Sequence, residues 1–332
     1  MRSGRALRAR PLRTRPRRVE VAGPDRKLRT RFAPSPTGYL HLGHVAHILY
    51  VWGIAEILGG EVLLRIEDHD RQRSQRRYER ELLRDLEWLG FEPVNRLADE
   101  PSRHRQSDCD EAFAHALRRL ERGYPVYRCV CSRKQLAAAT GPEALGEQPY
   151  PGTCRNAGHP ASKPHGLRLA WEPDAAAEVF TDGLLGPQRQ EPREQCGDLL
   201  LRDRRGNWSY QFSVTVDDLR HGVDFVVRGE DLLQSTGRQL RLARMLGAVK
   251  RPAFYHHPLV RDAQGEKLGK RHGSPALSEL RGRGICATTV LGKAAFGAGL
   301  IPEPRPIRAN EAAELVATRH PGGWCRDDLT LA

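Results

Sequence analysis

The sequence predicts an α/β fold with three parts: a parallel sheet flanked by helices, an inserted metal-binding subdomain and a short helical C-terminal region. Residues 28–66 read as strand, helix and strand, an order typical of a βαβ unit with a right-handed crossover. Three cysteines between positions 129 and 154 accompany a segment rich in glycine, proline and polar residues that shows no sustained period. The last part of the chain, 276–332, contains a helix-like stretch.

The first βαβ unit is predicted from its turn residues as well as from its periodicity. Leu28–Phe32 is strand-like, and Val45–Leu58 carries apolar residues at helical spacing. That pattern ends at Gly59 and Gly60, which suit a helix C-terminus, and Glu61–Ile66 follows as the second strand. Later patterns predict helices at Tyr78–Leu89, Asp108–Arg122, Leu232–Leu246 and Asn310–Thr318, and strands at Gly197–Arg202, Trp208–Val216 and Asp224–Arg228.

Composition and charge divide the chain into five predicted segments. Residues 1–31 carry twelve Arg or Lys against two acidic residues, which is +10 of the net charge of +13. Because the rest is nearly balanced, the high net charge is weak evidence for a nucleic-acid partner. The segments are a disordered Arg/Pro-rich extension (1–27), the first half of the sheet domain (28–124), the metal-bearing insertion (125–196), the second half of the sheet domain with a lysine loop (197–275) and a short helical region (276–332).

The Arg/Pro-rich extension has little apolar content, so we expect it to be disordered. A targeting peptide and a nucleic-acid-binding arm are two interpretations of it, and we favour a third, an upstream extension from a wrongly chosen start. No apolar run reaches the length of about 18 residues that a membrane span needs. Since no secretion signal is present, the seven cysteines predict reduced thiols and a cytoplasmic protein.

The most informative stretch, residues 31–44, reads Arg-Phe-Ala-Pro-Ser-Pro-Thr-Gly-Tyr-Leu-His-Leu-Gly-His and joins the first strand to the first helix. A helix N-terminus presents unpaired N–H groups and a positive dipole end, which suit a polyphosphate. Gly43 leaves room for an adenine, and His41 and His44 can donate to phosphate oxygens. The stretch matches neither a P-loop nor a dinucleotide glycine pattern, so it predicts another kind of nucleotide site, shared with the distant loop Lys267–Arg271.

These two loops resemble the signatures of the class I glutamyl-tRNA synthetases. Residues 31–44 resemble the first signature, which reads His-Ile-Gly-His at the helix start, and Lys267–Arg271 resembles the second, Lys-Met-Ser-Lys-Ser. The pair Asp217–Asp218 and the run Val227–Asp231 also resemble this family, and the match covers most of residues 28–275. The resemblance implies a class I synthetase Rossmann-like parallel sheet. It also implies that ATP activates L-glutamate to glutamyl-adenylate, which then passes its acyl group to an RNA hydroxyl.

The resemblance also implies roles for the residues of both loops. Lys267 and Lys270 would offset charge on the reacting phosphate, and Mg²⁺ would accompany ATP. The family usually has Ser where this chain has Gly269, so we expect weaker ATP binding than with Ser. The predicted catalytic residues are His41, His44, Lys267 and Lys270, and the predicted ATP contacts are His41, Gly43, His44 and Lys270.

A glutamate site needs opposite charges at the two ends of the amino acid. Arg31, at a strand end, can hold a carboxylate with two parallel hydrogen bonds, and Glu67, after the second strand, can bind the ammonium group. A solvated charge run is the alternative for residues 65–71, but the carboxyl end of a parallel strand favours a site. The resemblance adds further contacts, so that the predicted set is Arg31, Phe32, Ala33, Pro34, Ser35, Glu67, Tyr210 and Arg228.

The cysteine spacing predicts a metal site. Cys129, Cys131 and Cys154 with the nearby His159 would make a Cys₃His set, and unrelated buried thiols are the alternative. The resemblance to shortened synthetase paralogues implies Tyr150 as the fourth ligand instead. We expect one closed, structural Zn²⁺ per chain. The remaining cysteines, Cys109, Cys196, Cys286 and Cys325, are predicted to be packing residues.

About 60 residues follow the lysine loop, too few for the helical anticodon-binding region of a full glutamyl-tRNA synthetase. With the zinc-bearing insertion and the pair Tyr210–Gln211, this length resembles a shortened branch of the family. That branch activates glutamate without tRNA and attaches it to queuosine in the anticodon loop of tRNA(Asp). We therefore predict a monomer with glutamate, ATP and tRNA as partners. A truncated ligase charging the tRNA 3′ end and a non-catalytic RNA-binding paralogue are the alternatives.

Overall fold

The structure is a computed structural model that describes residues 26–95, 104–132, 134–136, 149–172, 174–260 and 275–321. Its strands form three sheets: a two-stranded parallel sheet, a three-stranded antiparallel sheet and a four-stranded mixed sheet. The strands are β1 (Arg29–Phe32), β2 (Glu61–Leu64), β3 (Val126–Cys129), β4 (Gly166–Leu169), β5 (Glu178–Asp182), β6 (Gly186–Gln190), β7 (Leu199–Arg202), β8 (Phe225–Gly229) and β9 (Ala253–His257).

The predicted parallel pairing is confirmed, in two sheets that adjoin between β1 and the start of β8. β1 pairs in parallel with β2 along its whole length. On the other side of β1, the Asp224 N–H at the start of β8 donates to the Arg29 carbonyl at 2.8 Å. β8 pairs in parallel with β9, which meets β5 where Phe254 lies opposite Asp182. The carboxyl ends of β1, β2 and β8 therefore lie at one edge of the sheet.

Helices cover the sheet, and α1 is among the most buried of them. Its residues join the main apolar core with β1, β2, β8, α8 and α9. A Cβ at Gly53 would lie 2.8 Å from the Ala312 carbonyl oxygen, so glycine is what lets α1 and α9 pack this closely. The helices are α1 (Leu42–Ile57), α2 (Arg76–Leu89), α3 (Asp110–Gly123), α4 (Pro192–Cys196), α5 (Tyr210–Arg220), α6 (Thr236–Met245), α7 (Leu277–Gly282), α8 (Ala287–Gly297) and α9 (Ala312–Arg319).

The strand predicted over Trp208–Val216 is wrong, because most of that segment forms helix α5. The run of β-branched residues from 214 to 216 favours a strand in isolation, but Ser209 caps a helix here. Its hydroxyl accepts the Phe212 N–H at 3.3 Å. Tyr210 consequently stands at the first turn of a helix. The helix predicted over Leu232–Leu246 is largely present, as a 3₁₀ turn over 230–235 followed by α6.

The segment predicted as a metal-bearing insertion contains two kinds of sheet. β3, β4 and β7 form an antiparallel sheet, whereas the β5–β6 hairpin joins β9 at the edge of the parallel sheet. The five domain boundaries stay predictions, and the Arg/Pro-rich extension lies outside the described residues apart from 26–27. Within the described residues, no helix is long and apolar enough to cross a membrane.

The isolated cysteines were predicted to be packing residues, and two of them are. Cys109 and Cys196 are buried in the core formed around α3 and α5. Cys286 is exposed, so the prediction is wrong for it: the residue precedes α8 and its thiol faces solvent. Cys325 lies outside the described residues.

Candidate functional site

A cavity of about 280 Å³, hereafter the first cavity, opens at the carboxyl ends of β1, β2 and β8. Ligands of open parallel sheets bind at this edge, because the loops that follow the strands converge there. Six of the eight predicted glutamate contacts line the cavity. The lining residues are Arg31, Ala33, Ser35, His47, Glu67, Tyr210, Val227, Arg228 and Leu232.

Phe32 and Pro34 were predicted as glutamate contacts, but neither lines the first cavity. Phe32 is 1% exposed, and its ring packs on Trp52 with centroids 5.6 Å apart. Side chains alternate along a strand, so Phe32 faces the core when Arg31 faces the cavity. Pro34 is buried, and its carbonyl accepts the Glu67 N–H at 3.1 Å. Both residues fix the loop that carries the cavity residues.

Four charged side chains form a buried network along one wall of the first cavity. Arg31 Nε donates to Asp218 Oδ1 at 3.1 Å, and Arg65 Nη1 donates to the same oxygen at 2.5 Å. Arg65 Nη2 donates to Glu67 Oε1 at 2.8 Å. Burial opposes ionisation of Asp218, but the guanidiniums of Arg31 and Arg65 lower its pKa below the usual value. The charges of two guanidiniums and two carboxylates therefore cancel within the protein.

Arg228 is held differently, by neutral groups. Its Nε donates to His256 Nε2 at 2.9 Å, its Nη1 to Gln239 Oε1 at 2.7 Å and its Nη2 to Thr236 Oγ1 at 2.8 Å. His256 in turn donates from Nδ1 to Asp182 Oδ2 at 2.5 Å. Burial lowers the pKa of His256 despite that carboxylate, so the ring is neutral and accepts from the guanidinium.

A second cavity of about 340 Å³ lies beside the first, at the N-terminus of α1. His41 Nδ1 accepts the Gly43 N–H at 3.2 Å, and His44 Nδ1 accepts the His41 N–H at 3.1 Å. Because both Nδ1 atoms accept, the proton of each neutral ring lies on Nε2, which makes Nε2 a hydrogen-bond donor. The lining residues are His41, Gly43, His44, Ala46, His47, Arg228, Gly229, Asp231, Leu232, His257, Pro258, Leu259 and Val260.

The two cavities share His47, Arg228 and Leu232, so their contents would meet there. His47 Nδ1 and His257 Nε2 are 2.9 Å apart, and His257 Nδ1 donates to the Pro258 carbonyl at 2.9 Å. Burial, followed by His257 and Arg31, holds the pKa of His47 well below its usual value. The predicted lysine-loop residues Lys267, Gly269 and Lys270 lie outside the described residues.

Three of the four predicted metal ligands, the cysteines, meet in a cluster, hereafter the cysteine cluster. The sulfurs of Cys129, Cys131 and Cys154 lie within 4.8 Å of one another, a spacing compatible with a tetrahedral ion at about 2.3 Å from each. The Tyr150 hydroxyl is 3.4 Å from Cys129 Sγ and 3.9 Å from Cys131 Sγ, where a fourth ligand would stand. His159 makes a side-chain hydrogen bond with Cys154, but among the described residues it is not a member of this three-residue group. The donor set and its geometry fit a closed site for a soft or borderline metal.

Backbone contacts shape the cysteine cluster before any ion binds. The Cys154 N–H donates to the Tyr150 hydroxyl at 2.9 Å, and the Arg168 guanidinium lies 3.8 Å from the centre of the Tyr150 ring. Burial raises the pKa of Tyr150, which keeps its hydroxyl protonated. Burial also opposes ionisation of Cys154, but hydrogen bonds led by the Val130 backbone lower its pKa to about 6. One thiolate is therefore available near neutral pH.

Several lining residues were not predicted. His47 lies one turn after His44 in α1, so helical spacing places both on one face. Leu232 directly follows the 227–231 run that was recognised. Asp182 and His256 carry no local pattern, because they meet only where β5 pairs with β9. Nothing in the sequence alone identifies that contact.

The chain matches the family described as tRNA synthetases class I (E and Q), catalytic domain, over residues 27–292. It is 41% identical over 304 residues to the glutamyl-Q tRNA(Asp) synthetase of Nitratidesulfovibrio vulgaris, covering 88% of this chain and 92% of that protein. Identity to the enzyme of the same name from Symbiobacterium thermophilum is 41% over 293 residues, covering 85% and 90%.

The fold is also similar to a solved glutamate tRNA ligase from Elizabethkingia meningosepticum, crystallised in complex with its amino acid. The TM-score is 0.72 at 24% sequence identity, and the similarity covers 87% of this chain. The chain spans 64% of the length of that ligase. This likeness confirms the fold class.

Proposed function

This chain belongs to the class I tRNA synthetases for glutamate and glutamine, in the group of glutamyl-Q tRNA(Asp) synthetases, and we propose that it activates L-glutamate with ATP and transfers it to queuosine of tRNA(Asp). It is a ligase of the aminoacyl-tRNA synthetase type. The charge pattern of the first cavity carries the glutamate part of the proposal. The names of the relatives support queuosine of tRNA(Asp) as the acceptor. We further expect that the first step, the activation of glutamate by ATP, does not require tRNA.

Glutamate carries two carboxylates and one ammonium group. The first cavity offers the complementary set, the guanidiniums of Arg31 and Arg228 and the carboxylate of Glu67. We propose that Glu67 accepts hydrogen bonds from the ammonium group and that the two arginines bind the carboxylates. Tyr210, whose pKa is raised by burial and then by Glu67, stays a neutral hydroxyl donor beside them. Ala33 and Ser35 complete the wall.

ATP is proposed to occupy the second cavity, with its phosphates at the N-terminus of α1. His41 and His44 would donate from Nε2 to phosphate oxygens, and Gly43 leaves the approach open. An α-carboxylate oxygen of glutamate then attacks the α-phosphorus near the junction at His47. A P–O bond forms as the bond to pyrophosphate breaks, and pyrophosphate leaves with the electron pair. Lys267 and Lys270, with Mg²⁺, are proposed to neutralise that leaving group.

Transfer follows when an acceptor hydroxyl attacks the acyl carbon of the adenylate. An ester forms, AMP leaves with the electron pair, and the hydroxyl loses its proton. A hydroxyl of queuosine in the anticodon loop is the proposed acceptor, because unpaired loop bases can reach into a protein pocket. The cytoplasm, where tRNA is used, is the proposed location.

The test is transfer of labelled glutamate to tRNA with and without queuosine, with the acylated nucleotide mapped by mass spectrometry. We expect label on queuosine of tRNA(Asp) and none on unmodified tRNA. Label on the 3′-terminal ribose would instead identify a ligase that charges the tRNA end. Absence of glutamate-dependent ATP–pyrophosphate exchange would identify a non-catalytic paralogue and overturn the whole proposal.

For the cysteine cluster we propose a structural Zn²⁺ with Cys129, Cys131, Cys154 and Tyr150 as ligands. The three sulfur positions and the nearby hydroxyl support it. A site closed by four protein ligands leaves no open position for substrate, so its role is to hold the loops of the insertion together. No step of the reaction depends on this ion.

A further inference from the structure

Arg228 is a buried cation whose direct partners are all neutral. Other buried arginines nearby contact carboxylates directly: Arg31 contacts Asp218, and Arg65 contacts Asp218 and Glu67. Arg228 instead contacts an imidazole, an amide oxygen and a hydroxyl. The nearest carboxylate along this chain of contacts, Asp182, is separated from it by the ring of His256. Among the described residues, no carboxylate contacts Arg228 directly, and Asp218 stabilises its charge only from a distance.

Two buried relays fix the orientation of these neutral partners. Gln239 accepts from Arg228 through Oε1, so its Nε2 must donate, and it does so to Gln211 Oε1 at 2.8 Å. Gln211 Nε2 then donates to Ser235 Oγ at 2.8 Å. His256 is oriented in the same way by Asp182, whose Oδ1 also accepts three backbone N–H groups. Each relay presents a lone pair, without negative charge, to the guanidinium.

The donors of Arg228 are divided between these relays and the first cavity. A guanidinium has five N–H groups, and the three contacts above use three of them. The other two are on Nη1 and Nη2, and the guanidinium also makes a side-chain hydrogen bond with Tyr210 in the cavity wall. A guanidinium that has no carboxylate in direct contact suits a carboxylate ligand and suits an amide poorly.

We propose that Gln239 and His256 are positioning residues that keep Arg228 without a carboxylate in direct contact, and that the cavity thereby selects glutamate over glutamine. The inference rests on the proposed activation of glutamate. The charges of the first-cavity network already cancel, since it contains Arg31, Arg65, Asp218 and Glu67. Arg228 therefore supplies a net positive charge. Glutamate would neutralise this charge with the carboxylate that glutamine lacks. Glutamine would leave this cation buried and unpaired, which is costly in a desolvated site.

The decisive variant is Gln239→Glu, which places a carboxylate on Arg228 with almost no change in volume. The relay can reverse around it: the Gln211 amide can turn to donate to Glu, and the Ser235 hydroxyl can donate to Gln211. We expect the KM for glutamate in ATP–pyrophosphate exchange to rise by about 30-fold or more, and the preference for glutamate over glutamine to fall by a similar factor. The KM for ATP should change by less than about threefold.

Gln190→Glu is the matched control, because Gln190 is equally buried and contacts Gly237 and Leu233 rather than Arg228. It should leave the KM for glutamate within about threefold of the wild-type value. If both variants raise that KM equally, the effect is one of buried charge in general and the inference fails. If Gln239→Glu leaves KM and selectivity unchanged, the inference also fails.

A second pair of variants covers the case in which Gln239→Glu does not fold. His256→Gln keeps an acceptor for Arg228 Nε and a donor for Asp182, whereas His256→Leu removes both. We expect His256→Gln to retain glutamate selectivity and His256→Leu to lose it, with both folded by circular dichroism. Equal selectivity in the two would overturn the inference. A wild-type protein without glutamate-dependent exchange would instead overturn the proposed function.

Discussion

The first cavity and the cysteine cluster both gather polar side chains from distant parts of the chain, but they differ in how charge is balanced. In the cavity, Arg31, Arg65, Asp218 and Glu67 neutralise one another. In the cysteine cluster no cation contacts the sulfurs among the described residues, and burial raises the pKa of Cys131 to about 11. The cavity is therefore preorganised without a ligand, whereas the cluster gains its stabilisation from a bound cation.

This difference predicts that cavity substitutions reduce activity more than stability. Glu67→Ala should give the largest effect, a loss of about 1,000-fold or more in glutamate-dependent pyrophosphate exchange, since Glu67 is the one carboxylate that the described residues contribute to the cavity lining. The melting temperature should fall only moderately, because Arg65 loses its buried contact with Glu67 but keeps the one with Asp218. Exchange assays and a melting curve on one preparation measure both quantities.

Glu61→Ala is the control for Glu67→Ala. Glu61 begins β2, the strand that precedes Glu67, and pairs with Arg29, but it does not line the first cavity. It should keep exchange activity within about threefold of wild type. Retained exchange in Glu67→Ala, or an equal loss in both variants, would remove Glu67 from the proposed site.

The two regions also differ in what the sequence could predict. The 31–44 stretch, Glu67 and the close-set cysteines are local patterns at element ends, and the structure brings them together as local rules require. Asp182 and His256 escaped prediction, because their contact depends on a hairpin from the insertion joining the parallel sheet. The helix at Tyr210 was missed since an N-cap and packing of Phe212 on Trp208 outweigh local β-propensity.

Substitutions in the cysteine cluster should reduce stability more than activity, which is the opposite of what we expect for Glu67→Ala. Cys131→Ser is expected to lower bound zinc from about one ion per chain to a small fraction and to lower the melting temperature by several degrees. The KM for glutamate of the protein that remains folded should change little, because no cluster residue lines the first cavity. Atomic absorption and calorimetry measure these outcomes.

Cys286→Ser is the control for Cys131→Ser, since that thiol is exposed and outside the cluster. This variant should keep its bound zinc and should have the same melting temperature as the wild-type protein. Undiminished zinc in Cys131→Ser would refute the proposed ligand set, and a glutamate KM that rises in parallel with zinc loss would show that the two regions are coupled.

Tyr150→Phe should give the smallest effect, and it decides the fourth ligand. It removes one oxygen while three thiolates remain, so we expect zinc affinity to fall by about tenfold with one ion still bound in excess zinc. Competition with a chromophoric chelator measures the affinity. His159→Ala should weaken it less than Tyr150→Phe does, because His159 hydrogen-bonds with Cys154 but lies outside the group whose ligand atoms are all within 4.8 Å of one another. If His159→Ala weakens binding and Tyr150→Phe does not, the site is Cys₃His. In that case the Tyr150 hydroxyl serves only as an acceptor for the Cys154 N–H.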